Sequence, residues 1–242
     1  MNIVGITDKG IVRSTNQDAY LFGNLKTDAS WAIVCDGMGG ANGGTVASTN
    51  AVKIISEYFQ SSFQESMTLN SIKALLQSSV YGANVRLYDM SNKIESLAGM
   101  GTTVVAVIVS NNIAQIAHVG DSRAYLFDDG KLTQITKDHS IVQSMVDSGE
   151  ITPEEALRHP NKNVITRALG VKEEVEIEYN EIDFSPSQKL LICTDGLTNY
   201  VPVEKIEEIL NNNPIDVCTK LLVDLANNNG GGDNISLVII EN

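Results

Sequence analysis

Residues 102–135 read TTVVAVIVSNNIAQIAHVGDSRAYLFDDGKLTQI and are rich in β-strand signals. The strand candidates are Thr102–Val109, Ile113–Val119, Ala124–Phe127 and Leu132–Ile135. Asp129 and Gly130 separate the last two candidates, and an Asp-Gly pair between apolar runs is a strong signal for a β-hairpin. Strands joined by such short connections pair antiparallel. The stretch therefore predicts the middle of an antiparallel sheet.

Outward from this stretch, strand and helix patterns occur in blocks. Further strands are predicted at 2–7, 18–23, Trp31–Cys35, Val175–Tyr179, Lys189–Thr194 and Ile235–Ile240, with 2–7 and 18–23 in a short N-terminal hairpin region. Helical spacing predicts helices at about 44–59, from a plausible N-cap at Thr68 onward, and at about 202–211 and 215–228. Because strands and helices do not alternate regularly, a doubly wound parallel sheet is disfavoured. The pattern favours antiparallel sheets covered by helix pairs, an α+β fold.

The composition describes an ordinary globular chain of 242 residues with 43% hydrophobic residues. No internal repeat or long linker interrupts it, so we expect a single domain over residues 1–242. A polar, helix-prone excursion runs from 139 to 170. The net charge of −13 argues against nucleic acid or an anionic membrane as a partner.

The sequence also indicates where the protein is located and whether its cysteines form disulfides. No run approaches the roughly 20 apolar residues that span a bilayer, and the N-terminus lacks the pattern of a signal peptide. We therefore expect a cytoplasmic protein. The three cysteines have no CxxC spacing, so neither a disulfide framework nor a zinc site is indicated.

Four aspartates stand in glycine-flanked positions at the ends of apolar runs: Asp36, Asp121, Asp195 and Asp233. A buried and unpaired carboxylate costs too much free energy to be explained by folding alone. Carboxylates that converge on a hard cation such as Mg²⁺ or Mn²⁺ explain the pattern. The alternative for each is a solvated Asp in a tight turn, which is about as plausible for DGMGG or GDSR taken singly.

Two further features narrow the chemistry. In GIVRSTNQD, Arg13 precedes Asp18, and a guanidinium beside a carboxylate and metal cluster would suit a phosphoryl substrate, although a lone Arg is usually a surface charge. His118, His139 and His159 have no recognisable triad spacing with Ser, Cys or Asp, so a protein nucleophile is not indicated. The remaining mechanism is attack on the substrate by a metal-activated water.

With these residues assembled, the chain resembles the metal-dependent protein serine/threonine phosphatases of the 2C type, in their bacterial branch. The resemblance spans almost the whole chain and rests on motifs in the family's order: GIVRSTNQD, DGMGG, GTT, HVGDSRAYL, LTQITKDHS, ITRALG, TDGL and GGDNIS. It implies a four-layer α/β/β/α sandwich of two antiparallel sheets flanked by helix pairs. It also implies a mobile flap at about 144–170.

The resemblance implies a metal site with two Mn²⁺ or Mg²⁺ ions. Asp36 would bridge both ions, Gly37 would offer its carbonyl to one, and Asp195 and Asp233 would hold the other. Asp121, together with Asp195, would bind a third and weaker ion.

The same resemblance implies the reaction. Arg13 would bind the phosphate, and Asp18 would act near the cluster through a metal-bound water. A metal-bridging water would attack phosphorus of a phosphoserine or phosphothreonine without a phosphoenzyme. The expected partners are phosphorylated proteins, including a Ser/Thr protein kinase and its substrates, and we expect a monomer.

Two departures and two rival functions stay open. Gln17 stands where some relatives carry Glu, so the second ion would have fewer anionic ligands. Met38 stands where some relatives have a histidine proposed as the general acid, so that acid is unidentified. The rivals are a catalytically silent relative that binds phosphoproteins or senses a ligand, and a hydrolase of small phosphate esters. The complete set of aspartates and Arg13 argues against the silent relative.

Overall fold

A computed structural model describes residues 1–25, 29–40 and 42–242. In chain order the strands are β1 (Asn2–Asp8), β2 (Asp18–Asn24), β3 (Ser30–Met38), β4 (Gly101–Thr102), β5 (Val104–Ser110), β6 (Ile113–Val119), β7 (Arg123–Asp128), β8 (Lys131–Gln134), β9 (Glu178–Asp183), β10 (Lys189–Cys193) and β11 (Ile235–Glu241). The helices are α1 (Gly43–Ser62), α2 (Leu69–Lys93), α3 (Ile141–Asp147), α4 (Pro153–Ala156), α5 (Asp195–Thr198), α6 (Val203–Asn212) and α7 (Ile215–Asn228), with a 3₁₀ turn at Glu95–Leu97.

These strands form two antiparallel sheets. The first has the order β1-β11-β10-β7-β8 and the second the order β2-β3-β5-β6-β9, with the short β4 paired to the end of β3. The Asp129–Gly130 turn joins β7 to β8 as the sequence predicts, with both residues at positive φ. The antiparallel α+β prediction is confirmed.

Three separate cores fill the spaces between layers, and β3 contributes to two of them. Ala32 and Val34 lie in the core between the two sheets. Trp31, Ile33 and Cys35 point to the opposite face and pack in the core beneath α1 and α2. Because successive side chains of a strand point to opposite faces, a strand buried on both sides is apolar at every position. This explains the uninterrupted apolar run before Asp36.

The last strand has the same two-faced burial on the other sheet. Val238 and Ile240 of β11 lie between the sheets, whereas Leu237 and Ile239 pack against α6 and α7. Helices therefore cover the outer face of each sheet. The result is the four-layer α/β/β/α sandwich that the resemblance implies.

Two local predictions are wrong. The strand expected at Val175–Tyr179 forms instead at Glu178–Asp183, where it pairs with β6. Val175 and Ile177 are still partly buried against the core beneath α1 and α2, so their apolar character reflects packing rather than pairing in a sheet.

The predicted N-terminal hairpin is also absent from the described residues, because β1 pairs with β11 and β2 with β3, in different sheets. The segment between them, 9–17, crosses from one sheet to the other.

The excursion from 139 to 170 contains α3, α4 and irregular chain. One isolated bridge joins Ser140 to Ile165 within the excursion, and a second attaches its end at Leu169 to Thr102 of β4. Asn163 and Ile165 from its later part line a cavity described below. In the described part of the chain, no helix has the length and apolar character needed to cross a membrane.

Candidate metal and phosphate site

The predicted site residues lie where the two sheets meet at one end. Asp18 begins β2 and stands opposite Asp36 of β3 in the antiparallel register. Asp121 follows β6, Asp195 follows β10 and Asp233 precedes β11. One open cavity of about 280 Å³ is lined by most of the predicted set: Arg13, Asp36, Gly37, Asp121, Asp195 and Asp233. Asp18 is buried.

Asp18 is held from one side only. The hydroxyl of Thr194, at the end of β10, donates a hydrogen bond to Asp18 Oδ2 at 2.9 Å, which links the two sheets. Oδ1 is buried and has no hydrogen-bond partner in the part of the chain described. Burial, with smaller repulsion from Asp195 and Asp233, raises the pKa of Asp18 to about 7.

Asp36 is fixed through its backbone, which leaves its carboxylate free to face the cavity. Its N–H donates to Thr103 Oγ1 at 2.9 Å, and its carbonyl accepts from the Thr102 hydroxyl at 2.8 Å and from the Thr103 N–H at 2.9 Å. Burial and then the charge of Asp18 raise the pKa of Asp36 well above its usual range. The GTT motif therefore orients this strand end.

Gly37 occupies a space that admits no side chain. A Cβ at this position would collide with the carbonyl oxygen of Gly44 and would lie 2.6 Å from the carbonyl oxygen of Gln17. Its N–H donates to the same Gln17 carbonyl at 3.1 Å. The glycine after Asp36 is therefore required by the close approach of the 9–17 segment and the start of α1.

Asp195 and Asp121 form the other side of the cluster. Asp195 Oδ2 accepts a hydrogen bond from Asn199 at 2.8 Å, while Oδ1 is buried without a partner among the described residues. Burial, then repulsion from Asp233, raises the pKa of Asp195 to about 6. Burial, then repulsion from Asp195, raises the pKa of Asp121 to about 8.

Arg13 and Asp233 form an ion pair at the rim. Arg13 Nη2 donates to Asp233 Oδ2 at 2.8 Å, and Arg13 Nε donates to the Gly232 carbonyl at 3.3 Å. About half of the Arg13 side chain is exposed. The arginine therefore lies beside the carboxylates with part of its guanidinium accessible from the cavity.

The donor set fits divalent cations. Four carboxylates, Asp18, Asp36, Asp121 and Asp195, have raised pKa values for the same first cause, burial, and repel one another. Two of their oxygens are buried without a hydrogen-bond partner in the described chain. Such an array lacks positive charge, and carboxylate oxygens are the ligands that Mg²⁺ and Mn²⁺ prefer.

Several residues that support the site lie in the motifs that carry the family resemblance, although no role was predicted for them. Thr194 lies in TDGL, Thr102 and Thr103 in GTT, and Asn234 in GGDNIS. Thr194 and Asn234 are adjacent in sequence to a site aspartate, and Thr102 and Thr103 are hydrogen-bonded to the backbone of Asp36. A hydroxyl or amide next to a buried carboxylate was the available signal, because buried polar groups need partners.

A second polar cluster lies outside the cavity. His118, His139 and Glu178 are close enough to be considered as metal ligands. The Gly120 N–H donates to His139 Nδ1 at 3.0 Å, and His139 Nε2 lies 3.3 Å from Glu178 Oε2 and 3.2 Å from Arg167 Nη1. The rings of His118 and His139 are stacked, with centroids 4.6 Å apart. The Gly120 N–H occupies Nδ1 and the Arg167 guanidinium places a positive charge beside Nε2, so this arrangement supports the loop before Asp121.

The two departures from the family pattern have visible consequences. Gln17 Nε2 donates to the Gly40 carbonyl at 3.2 Å. Met38 lines the cavity, and its thioether has no proton to donate. The described residues that line the cavity include no histidine.

Comparison with known proteins gives one consistent result. Residues 11–221 match the sequence profile of the family described as Protein phosphatase 2C. A relative named serine/threonine phosphatase stp, from Listeria monocytogenes serotype 4b, is 40% identical over 97% of this chain and 93% of its own. The structure of the S. agalactiae serine/threonine phosphatase superposes with a TM-score of 0.93 at 32% identity, covering 99% of this chain and 98% of that one.

A further structure bears on the metal. The catalytic domain of the serine threonine protein phosphatase PstP, in complex with two manganese ions, has a TM-score of 0.86 and 34% identity. It covers 98% of this chain and 96% of that domain.

Proposed function

Because the chain belongs to the protein phosphatase 2C family, we propose that it removes phosphate from phosphoserine and phosphothreonine in proteins with the help of two Mn²⁺ or Mg²⁺ ions. The observation that carries this function is the cavity in which buried carboxylates with unpartnered oxygens adjoin an accessible arginine. Carboxylates alone would suit many cation sites. The arginine adds a group that recognises phosphoryl oxygens.

The proposed metal ligands are Asp36, the Gly37 carbonyl, Asp195 and Asp233. Asp36 lies centrally, since its carboxylate interacts with Asp18, Asp195, Asp121 and Asp233. This position supports a role in which it contacts both ions. Asp121, which interacts most strongly with Asp195 among its charged neighbours, is the proposed ligand of a third and weaker ion.

When bound, the pair of ions supplies an activated water as the nucleophile and offsets charge on the phosphoryl oxygens. Arg13 would bind and orient the phosphoryl group and stabilise the charge that develops on its oxygens. Asp18 would contribute its free oxygen to the same cluster and act through water. No histidine lines the described cavity to activate a side-chain nucleophile, and its carboxylates would be engaged by the ions, so we infer that no phosphoenzyme forms.

We further propose the setting in which this reaction takes place. The substrates would be phosphorylated proteins in the cytoplasm, including a Ser/Thr protein kinase and the proteins it modifies. The chain would act as a monomer with one catalytic domain over residues 1–242. Residues 144–170 would act as a mobile flap that controls access, a role supported by Asn163 and Ile165 at the cavity.

Turnover on a panel of substrates tests the function. We expect Mn²⁺-dependent release of phosphate from phosphoserine and phosphothreonine peptides, with much lower kcat/KM for phosphorylated metabolites. The Asp195→Asn protein is the control for contaminating phosphatases. Equal or higher kcat/KM on the metabolites would instead identify a small-ester hydrolase, and no turnover of any substrate would identify a silent relative.

A further inference from the structure

We propose that Asn234 is a positioning residue for Arg13, holding the arginine-bearing segment 9–17 against the end of β11; this inference rests on the proposed function. Segment 9–17 crosses between the two sheets without forming a strand or helix of its own. Its backbone groups therefore need partners from elsewhere in the fold. Asn234 supplies them at both ends of the segment.

The hydrogen bonds of Asn234 span the segment. Its Nδ2 donates to the Lys9 carbonyl at 2.8 Å and to the Thr15 carbonyl at 3.0 Å. Its Oδ1 accepts from the Gln17 N–H at 2.8 Å. Arg13 lies between these three anchor points. One amide thus fixes the chain on both sides of the arginine.

Because Asn234 is buried, the loss of its hydrogen bonds should be costly. Asn234 is 5% exposed, and both amide hydrogens and the carbonyl oxygen are used. Removal of a buried partner leaves the remaining groups unsatisfied, which costs more than an ordinary hydrogen bond contributes. Segment 9–17 would then release its carbonyls to water by moving away from β11, and Arg13 would move with it.

Asparagine is required here by chemistry and by position. Asp cannot donate to two carbonyls, and Ser or Ala is too short to reach all three groups. The backbone N–H of Asn234 also donates to Asp233 Oδ1 at 2.8 Å. Asn234 therefore contacts both segment 9–17 and the neighbouring site aspartate. Near Arg13 itself, the Gly231 carbonyl accepts from the N–H of Ile11 at 2.8 Å and of Val12 at 3.2 Å. At the far end of the segment, the Gln17 carbonyl accepts from the Gly37 N–H at 3.1 Å and from the Ser48 hydroxyl at 2.6 Å.

The ladder of β11 does not depend on this side chain. β11 pairs with β1 on one side and β10 on the other, from Ile235 to Glu241. Loss of the Asn234 amide should therefore loosen segment 9–17 while the sheet stays formed. This separates a positioning role from a general role in folding.

Steady-state kinetics of four proteins test the proposal: wild type, Arg13→Ala, Asn234→Ala and the double variant. We expect Arg13→Ala to raise KM for a phosphopeptide roughly tenfold or more, since hydrogen bonds to charged groups are the strong ones. Asn234→Ala should raise KM in the same direction with a smaller effect on kcat. In the double variant, KM should equal that of Arg13→Ala alone, because residues that act as a unit are not additive. Asn234→Ser is the second variant if the Ala protein does not fold.

Amide hydrogen exchange of the metal-free proteins gives a readout independent of turnover. Asn234→Ala should speed exchange in residues 9–17 and leave β11 protected. The matched control is Asn213→Ala, whose amide donates to one carbonyl, that of Ile209 at 2.9 Å, outside the cavity. The control should change neither KM nor exchange in segment 9–17.

The possible failures are distinguishable. An unchanged KM in Asn234→Ala, or additive effects in the double variant, would overturn the positioning role while leaving the phosphatase assignment in place. An unchanged KM in Arg13→Ala would remove the phosphate-binding role of Arg13 and with it this inference. Absence of turnover in the wild type would count against the proposed function itself.

Discussion

A carboxylate buried among other carboxylates is the defining feature at the scale of single residues. Asp18 and Asp195 each have one oxygen bonded to a side chain and one buried oxygen with no partner among the described residues. The first oxygen fixes the orientation of the side chain, and the second is left for a ligand. This division explains why the neighbouring Thr194 and Asn199 belong to the site without lying at its centre.

Replacement of Asp195 by Asn tests this reading. We expect Asp195→Asn to abolish phosphatase activity, because the amide retains the bond with Asn199 but lacks the charge that holds a cation. The folded metal-free protein should not become less stable at pH 8, since the change removes repulsion from Asp233. Activity assays and thermal unfolding with and without Mn²⁺ measure both effects, and turnover near the wild-type rate would sink the assignment.

At the scale of elements, the strands and helices have different determinants. β3 and β11 are apolar at successive positions because each is buried on both faces, and polar residues begin where these strands reach the edge of the sandwich. The helices are amphipathic and cover one face of a sheet. The start of α2 is capped by the Thr68 side chain and does not line the cavity, so it can be altered without touching the site.

The N-cap of α2 provides such a test. Thr68 accepts a hydrogen bond from the Ser71 N–H at 3.3 Å and is exposed. Thr68→Ala should lower the free energy of unfolding by about 1 kcal/mol, the usual cost of losing a capping side chain. Urea denaturation measures this change. kcat and KM should stay at the wild-type values, and a large loss of activity would contradict the separation between α2 and the site.

At the scale of the whole molecule, the site depends on two sheets meeting at one end. The hydrogen bond between Thr194 of the first sheet and Asp18 of the second lies at this junction. Both sheets bring acidic groups to it, in a chain that already carries a net charge of −13. Folding without cations therefore concentrates negative charge, and the stability of the protein should report on that charge.

The pH dependence of stability follows from the raised pKa values. Burial raises the pKa of Asp195, Asp18 and Asp121 to about 6, 7 and 8, from an unfolded value near 3.8. Between about pH 4 and 8 the folded state therefore binds more protons than the unfolded state, so the free energy of unfolding of the metal-free protein should fall as pH rises. Asp89, Asp147 and Glu178 have lowered pKa values and act oppositely, chiefly below pH 5. Burial lowers the pKa of His118 to about 4 and also lowers that of His139, so these two groups act oppositely up to about pH 6.5 and make the decline steepest above that pH.

Thermal unfolding in EDTA from pH 5 to pH 8 measures this dependence. Asp18→Asn should flatten the decline, because it removes one of the carboxylates responsible. A Tm of the metal-free protein that rises steadily over this range would show that the acidic cluster does not control its stability.

Removal of metal should act on activity and stability together. EDTA should stop turnover, and added Mn²⁺ should restore it. Because a ligand that binds only the folded state stabilises it by mass action, Mn²⁺ should also raise Tm, and more at pH 8 than at pH 5, where carboxylates are protonated. Full activity of metal-depleted protein would falsify the two-metal scheme.

Sequence alone determined the elements with strong local signals. Apolar runs identified β3, β5, β6 and β11, the Asp129–Gly130 pair identified the β7–β8 turn, and Thr68 identified the start of α2. The glycine-flanked aspartates identified the candidate cluster, since a buried acid beside an apolar strand has few structural explanations. The order of motifs then identified the family and with it the four layers.

Only the tertiary structure decided which distant residues meet. β1 pairs with β11, more than 200 residues away in the chain, whereas β2 pairs with the nearby β3. These pairings place β1 and β2 in different sheets, and no local pattern specifies that choice. The same holds for the strand at Glu178–Asp183, which is selected by its register with β6. The contacts of Asn234 with segment 9–17 likewise join the two ends of the chain. Hydrophobic periodicity reports whether a residue is buried, whereas its partner is fixed by packing of the whole fold.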